Sequence, residues 1–357
     1  MKFYKIPIYL YQIITRKRTL KISLENNTES LVEEDDESLF FYKKIDTINS
    51  NSSKFSYLIS IDGIAGFAGS SAITDFLGEF SNCTSIGGVD IRENPDRGID
   101  NSYECDFFRD AYGVYELEKI CYFDDDRIQD EAIRAFIRKV ITNYKSYISF
   151  YNDFYLDESR KFINDILDFR FEWTGNFQNY FVKKLSVNEY REKAKKYICN
   201  LISNIPSKEY LILDNLASIT NPKQDVLKDY FGDVKILASY RDPRDLYTAA
   251  RNLSGNDWVP KDPIIFVKWY KWYFERFNYS NNSNVLLIRF EDFVFKYEEI
   301  SLKIRNFINL DEGNHDLKFK FFNPDISKNN IGIYKNYHDQ NAIKYIEENL
   351  SDYIYRG

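Results

Sequence analysis

The feature that most constrains this chain is a strand, a glycine-rich break and a helix in immediate succession. Phe55–Asp62 (FSYLISID) is an apolar run of strand length. Bounded by turn residues, such a run fits a strand buried on both faces. Gly63–Gly69 (GIAGFAG) forms the break, and Ser70–Phe80 (SSAITDFLGEF) then sets Ala72, Ile73, Phe76 and Leu77 on one face at helical spacing. A turn of this kind exposes backbone N–H groups at the positive end of a helix dipole, where phosphate or sulfate binds. Glycine lets an anion approach the backbone closely, and Ser70 and Ser71 add hydroxyl donors. The candidate anion-binding residues are Gly66, Phe67, Ala68, Gly69, Ser70 and Ser71. A glycine turn that only joins strand to helix has the same composition, so the loop by itself leaves both roles open.

What the loop lacks is informative too. The triphosphatase pattern G-x-x-x-x-G-K-[ST] requires a lysine, and none stands between Asp62 and Ala72. The dinucleotide pattern G-x-G-x-x-G does not fit either. An ATPase or kinase of the lysine-loop type and a dinucleotide enzyme are both disfavoured.

Further along, strands alternate with helices. Thr84–Ile91, Tyr210–Asp214, Val234–Tyr240 and Val285–Phe290 have strand character. Helical spacing covers most of about 127–205, a stretch starting near Pro222, the segment carrying Leu246, Ala249, Ala250 and Leu253, an aromatic-rich stretch at 262–279, Glu298–Ile308 and Asn341–Tyr353. The alternation predicts an α/β architecture in three layers, a mostly parallel central sheet with helices on both faces. The block at about 127–205 reads as a helical insertion. Residues 1–54 read as an N-terminal extension and linker. The aromatic row Phe266–Phe277 is expected to be core packing.

A second candidate anion site lies at the end of VKILASY, in Arg241-Asp-Pro-Arg-Asp245. Ligands of open α/β sheets bind beyond the carboxyl ends of strands. A guanidinium there is always charged and grips phosphate oxygens as a fork, and Pro243 suits the first turn of a following helix. An Arg–Asp pair that merely caps that helix is the competing role.

Together these two segments resemble the sulfotransferases that use 3′-phosphoadenosine-5′-phosphosulfate (PAPS). Val285–Leu310 is similar to that family's strand, FEDL-like turn and helix, and Ser327–Lys335 (SKNNIGIYK) resembles its late basic glycine loop. Asp90-Ile-Arg92 and the following residues to Asp100 are similar to a segment of bacterial sulfotransferase-like proteins. The resemblance runs over residues 55–353, weakest across the helical block, and implies a P-loop-like sulfotransferase fold. It implies that the first loop holds the 5′-phosphosulfate, and that Arg241 holds the 3′-phosphate with Thr248, Lys328 and Asn329 beside it. Two departures stand out. Phe67 occupies the place where many members have a lysine, and Ala249 the place of a serine, with Thr248 adjacent.

The resemblance implies sulfuryl transfer to a hydroxyl, a reaction in which positioning and electrostatic stabilisation carry most of the catalysis. The acceptor hydroxyl needs a base. Asp90 is the first candidate and Glu93 the second, with Arg92 stabilising the transferring group or pairing with Asp90; a surface pair is the alternative for these residues. His315, in the polar loop LDEGNHDLKFK, is the remaining base candidate, against an ordinary solvated loop histidine.

Composition narrows the partners. With 48 Lys+Arg against 55 Asp+Glu, the net charge is −7, unsuited to coating nucleic acid. Cys83, Cys105, Cys121 and Cys199 form no CxxC pair, and only His315 and His338 are histidines, so neither a metal site nor a disulfide framework is expected and a cytoplasmic location fits. No apolar run is long enough for a bilayer crossing. Residues 1–21, with Ile6–Ile14 ahead of Arg16, Lys17, Arg18 and Lys21, suit peripheral contact with the inner face of a membrane. The expected acceptor is a hydroxylated, saccharide-type cell-envelope precursor. The alternatives are a nucleoside-triphosphate kinase on a related loop and a non-catalytic nucleotide-binding relative.

Overall fold

The computed structural model describes residues 55–86, 113–151, 153–167, 183–204, 207–214, 233–252, 259–276 and 283–357. Five strands form one parallel sheet: β1 (Tyr57–Gly63), β2 (Cys83–Ile86), β3 (Tyr210–Asp214), β4 (Lys235–Tyr240) and β5 (Val285–Arg289), in the spatial order β2-β3-β1-β4-β5. The helices are α1 (Ser70–Gly78), α2 (Asp126–Tyr151), α3 (Phe154–Ile166), α4 (Val187–Ser203), α5 (Pro243–Asn252), α6 (Pro263–Arg276), α7 (Phe290–Phe295), α8 (Tyr297–Ile308), α9 (Pro324–Ser327) and α10 (Gln340–Asn349).

Parallel strands flanked by helices are apolar on both sides, and successive side chains alternate between them. Ile59 and Ile61 of β1, Ile212 of β3 and Leu237 of β4 face one apolar cluster, which α1, α7 and α8 complete through Ile73, Phe76, Phe293 and Ile304. Leu58, Leu211, Leu213, Ile236 and Ala238 face the other cluster, built with α2–α6 and α10. The sheet is thus the middle of three layers, as the alternation of elements predicts.

The helical block at 127–205 is present as α2, α3 and α4 between β2 and β3. Phe136, Phe162 and Tyr197 belong to the same apolar cluster as the strands' second face. A capping box closes the start of α4, with Ser186 and Glu189 each bonding the other's backbone. Arg191 of this helix forms a forked pair with buried Glu118, Nε and Nη2 each donating at 2.9 Å. The aromatic row divides: Phe266 and Tyr270 are fully buried, whereas Trp272 is 48% exposed. The helix expected near Pro222, Cys105, and residues 1–21 fall outside the described residues.

The strand order places two exits side by side. β1 and β4 are neighbours, with Gly63 paired to Ser239. The chain leaves β1 for a helix on one face of the sheet and leaves β4 for a helix on the other. Two adjacent parallel strands whose exits diverge create a crevice at their carboxyl ends, the switch point of an open α/β sheet.

Candidate functional site

The glycine loop sits on one side of that crevice. Ile64 N–H donates to the Ser239 carbonyl at 2.8 Å, so the loop is anchored to β4 as it begins. Four of the five positions from 65 to 69 then adopt left-handed backbone: Ala65 (φ 66°), Gly66 (61°), Phe67 (43°) and Gly69 (87°). For Ala65 and Phe67 this costs roughly 1–2 kcal/mol each. Strain of this kind persists only where surrounding structure over-determines it, and it concentrates at ligand clamps. Gly69 is the N-cap of α1, with no side-chain cap and no acidic residue in the first turn. Ser70 turns its hydroxyl back toward Gly63, whose position would bring a Cβ within 3.4 Å of it. Ser71 is exposed. Successive left-handed residues ahead of a helix start are the backbone geometry from which anion-binding nests are built.

The other side is Arg241–Asp245, which runs from β4 into α5. Its two arginines differ sharply. Arg244 is the structural member: it bonds Asp242 through Nε at 3.1 Å and Nη2 at 2.8 Å, reaches Glu347 at 3.1 Å, and lies over the Tyr334 ring at 4.0 Å. Burial works against its charge, yet the Asp242 hydrogen bonds and neighbouring anions outweigh this and hold its pKa above the ordinary value. Asp242 Oδ1 also accepts the Arg244 N–H, so the expected helix-capping Arg–Asp pair exists and consists of these two residues.

Arg241 is placed differently. It is 7% exposed, donates through Nη2 to the Asn330 carbonyl, and has a buried Nε with no hydrogen-bond partner among the described residues. Burial lowers its pKa, against the pull of Asp245, Glu291 and Asp242. A buried guanidinium with an orphaned donor is costly in a protein interior, and an anion is the group that would satisfy it.

One ring joins the two sides. Phe290, immediately after β5, lies with its centroid 5.3 Å from the Arg241 guanidinium carbon. A Cβ added at Gly69 would fall 2.5 Å from the same ring. Residue 69 is therefore glycine for two reasons, its left-handed backbone and the aromatic ring against it. The loop and the guanidinium lie against one side chain at the same edge of the sheet.

The late loop closes over Arg241. Asp245, almost fully buried, accepts the N–H groups of Gly332 at 2.7 Å and Tyr334 at 3.1 Å. Burial raises its pKa despite those bonds. Lys328 and Asn329 are exposed on this loop, Lys328 paired with Asp325 at 2.6 Å.

The other candidate residues take the following places. Phe67 packs against the second apolar cluster, so the position where a loop lysine is usual contributes to packing. Thr248 is buried and donates its hydroxyl to the Arg244 carbonyl at 2.8 Å, one helical turn back. His315 is neither a solvated loop residue nor near the loop. It is buried against Phe80 and bonds fully buried Glu79 at 2.8 Å, at the far end of α1. Asp90, Arg92 and Glu93 lie outside the described residues.

Sequence reasoning quoted Phe290 and Glu291 within the FEDL-like turn and Asp245 within the R-D-P-R-D run, but gave none of the three a role. Their signal is an aromatic–acidic pair directly after the strand beside β4, and the last aspartate of the R-D-P-R-D run. Among the described residues no group of His, Cys, Asp and Glu forms a metal site, and no helix is long and apolar enough to cross a membrane.

No protein-family model matches the chain, and no curated protein matches it. Among solved structures, it is similar to the sulfotransferase domain from the Synechococcus PCC 7002 olefin synthase, with 10% sequence identity and a TM-score of 0.37, over 86% of this chain and 98% of that one. A likeness at this level bears no weight in assigning an activity, which has to come from the residues at the sheet edge.

Proposed function

We propose that the chain is a sulfotransferase of the P-loop-like type, taking PAPS as co-substrate and transferring its sulfuryl group to a hydroxyl, with a saccharide-type cell-envelope precursor as the acceptor. The observation that carries this reading is buried Arg241, its Nε orphaned, resting on the same Phe290 ring as the strained glycine loop. Two anion-seeking elements on adjacent strands suit a nucleotide with two separate phosphate positions.

In this reading the N–H groups and hydroxyls of Gly66–Ser71 bind the 5′ end, at the positive end of the α1 dipole. Arg241 grips the 3′-phosphate, with the Asn330 segment folded over it. Lys328 and Asn329 add charge and polarity at the rim. When bound, the donor supplies a sulfur that exchanges its bond to the phosphate oxygen for one to the acceptor oxygen. Asp90 takes the acceptor proton, with Glu93 as the second candidate and Arg92 beside the transferring group. Because Phe67 is packed inward, the cation that balances the leaving phosphate comes from outside the loop.

The test is transfer of labelled sulfuryl from PAPS to a panel of saccharide acceptors, by wild type and by Asp90→Asn. We expect turnover in the wild type, and slowed turnover with donor affinity retained in the variant. Donor binding without turnover on any acceptor would select a non-catalytic nucleotide-binding relative. Stronger binding of ATP than of adenosine 3′,5′-bisphosphate would select a kinase.

A further inference from the structure

Building on the nucleotide reading above, we propose that Phe290 and Glu291 are positioning residues that lock the two anion clamps together and thereby set the preference for a 3′-phosphate. They are consecutive and follow directly from β5, the strand beside β4. Phe290 fixes the spacing, because its ring meets both Gly69 and the Arg241 guanidinium. Glu291 fixes the backbone. Its Oε1 accepts the Asp242 N–H at 2.8 Å, the peptide directly after Arg241.

The cost of this arrangement argues that it serves something beyond packing. Glu291 is fully buried, and its Oε2 has no hydrogen-bond partner among the described residues. Burial raises its pKa. A carboxyl held with one oxygen unsatisfied is a poor stabiliser compared with an apolar residue of the same shape. Its one strong bond holds the residue that follows the arginine. A peptide shift there would move the guanidinium relative to the loop, and a displacement near 1 Å is enough to spoil a positioned contact.

The experiment measures, by titration calorimetry on the full chain, the ratio of affinities for adenosine 3′,5′-bisphosphate over AMP. Glu291→Gln keeps an acceptor oxygen in place and is expected to hold the ratio within threefold of wild type. Glu291→Met removes the acceptor, and Glu291→Asp withdraws it by one methylene. Each is expected to lower the ratio at least tenfold while AMP affinity stays within threefold. General damage would weaken both ligands alike and leave the ratio intact. Should Glu291→Met fail to fold, the Asp and Gln variants make the same comparison. A wild-type ratio in the Met or Asp variant overturns the proposal while leaving the nucleotide reading standing. A wild-type protein with no preference between the two ligands overturns both.

Discussion

The two ends of α1 are built in opposite ways. At the carboxyl end, the Glu79 carboxylate is wholly buried and saturated: Oε1 accepts the N–H groups of Phe321 and Phe322 at 2.9 Å each, and Oε2 meets His315 at 2.8 Å. The Glu79 carbonyl takes the Leu317 N–H as well. At the amino end, no side chain caps the helix, no acid lies in the first turn, and the preceding backbone is left-handed at four positions. One end satisfies its polar groups internally; the other keeps left-handed backbone and a helix start without a side-chain cap. The arginines of the Arg241–Asp245 segment repeat the contrast three residues apart, Arg244 fully paired and Arg241 with an orphaned donor. Where the fold leaves polar groups unmatched at a switch point, a ligand is the expected partner.

Substitutions at the two ends should act differently. Glu79→Ala should have the largest effect, about 3 kcal/mol or more of lost stability by urea denaturation, because it orphans the Phe321 and Phe322 N–H groups and His315. Nucleotide affinity should be unchanged; a loss of binding larger than the loss of stability would make Glu79 part of the site. Arg244→Ala should cost about 3 kcal/mol of stability by uncoupling a buried pair. Gly69→Ala follows, destabilising by roughly 2–4 kcal/mol, since its Cβ meets Phe290 on left-handed backbone, and it should also abolish nucleotide binding. An alanine variant with wild-type melting temperature and affinity would show that the ring does not seat against the loop.

The smallest effect concerns pH. The Glu291 pKa is raised by burial, so the folded state holds its proton longer than the unfolded chain does. The sign follows: its stability contribution is complete below the unfolded value, about 4.3, and falls as pH rises through the folded value. Glu291→Gln removes this term, so its melting temperature should gain on wild type as pH climbs above about 4. A parallel pair of curves would mean that the carboxyl is not held in its buried setting.

The sheet and its order of elements were legible because burial on both faces writes itself as continuous apolar runs, as in YLISIDG and KILASY. The glycine loop and Arg241–Asp245 were legible because each sits at a strand's end. The roles of the two arginines were not, since only three-dimensional pairing tells Arg244 on Asp242 from Arg241 on Phe290. His315 misled for the same reason. A polar stretch such as LDEGNHD reads as solvated, and the buried partner that draws its histidine inward stands more than two hundred residues earlier in the chain. Phe67 was legible as a departure from the resemblance, while its inward packing required the fold.

If the glycine loop and Arg241 hold opposite ends of one doubly phosphorylated adenosine, the bound nucleotide must be read at its 3′-phosphate. Titration of wild type and Arg241→Ala with adenosine 3′,5′-bisphosphate and with AMP tests it most directly. Wild type is expected to bind the bisphosphate at least tenfold tighter than AMP, a preference lost in the variant at a cost of about 1.5–3 kcal/mol, with the melting temperature of the unliganded protein preserved. Equal affinities for the two nucleotides in wild type, or an unaltered preference in Arg241→Ala, would contradict it.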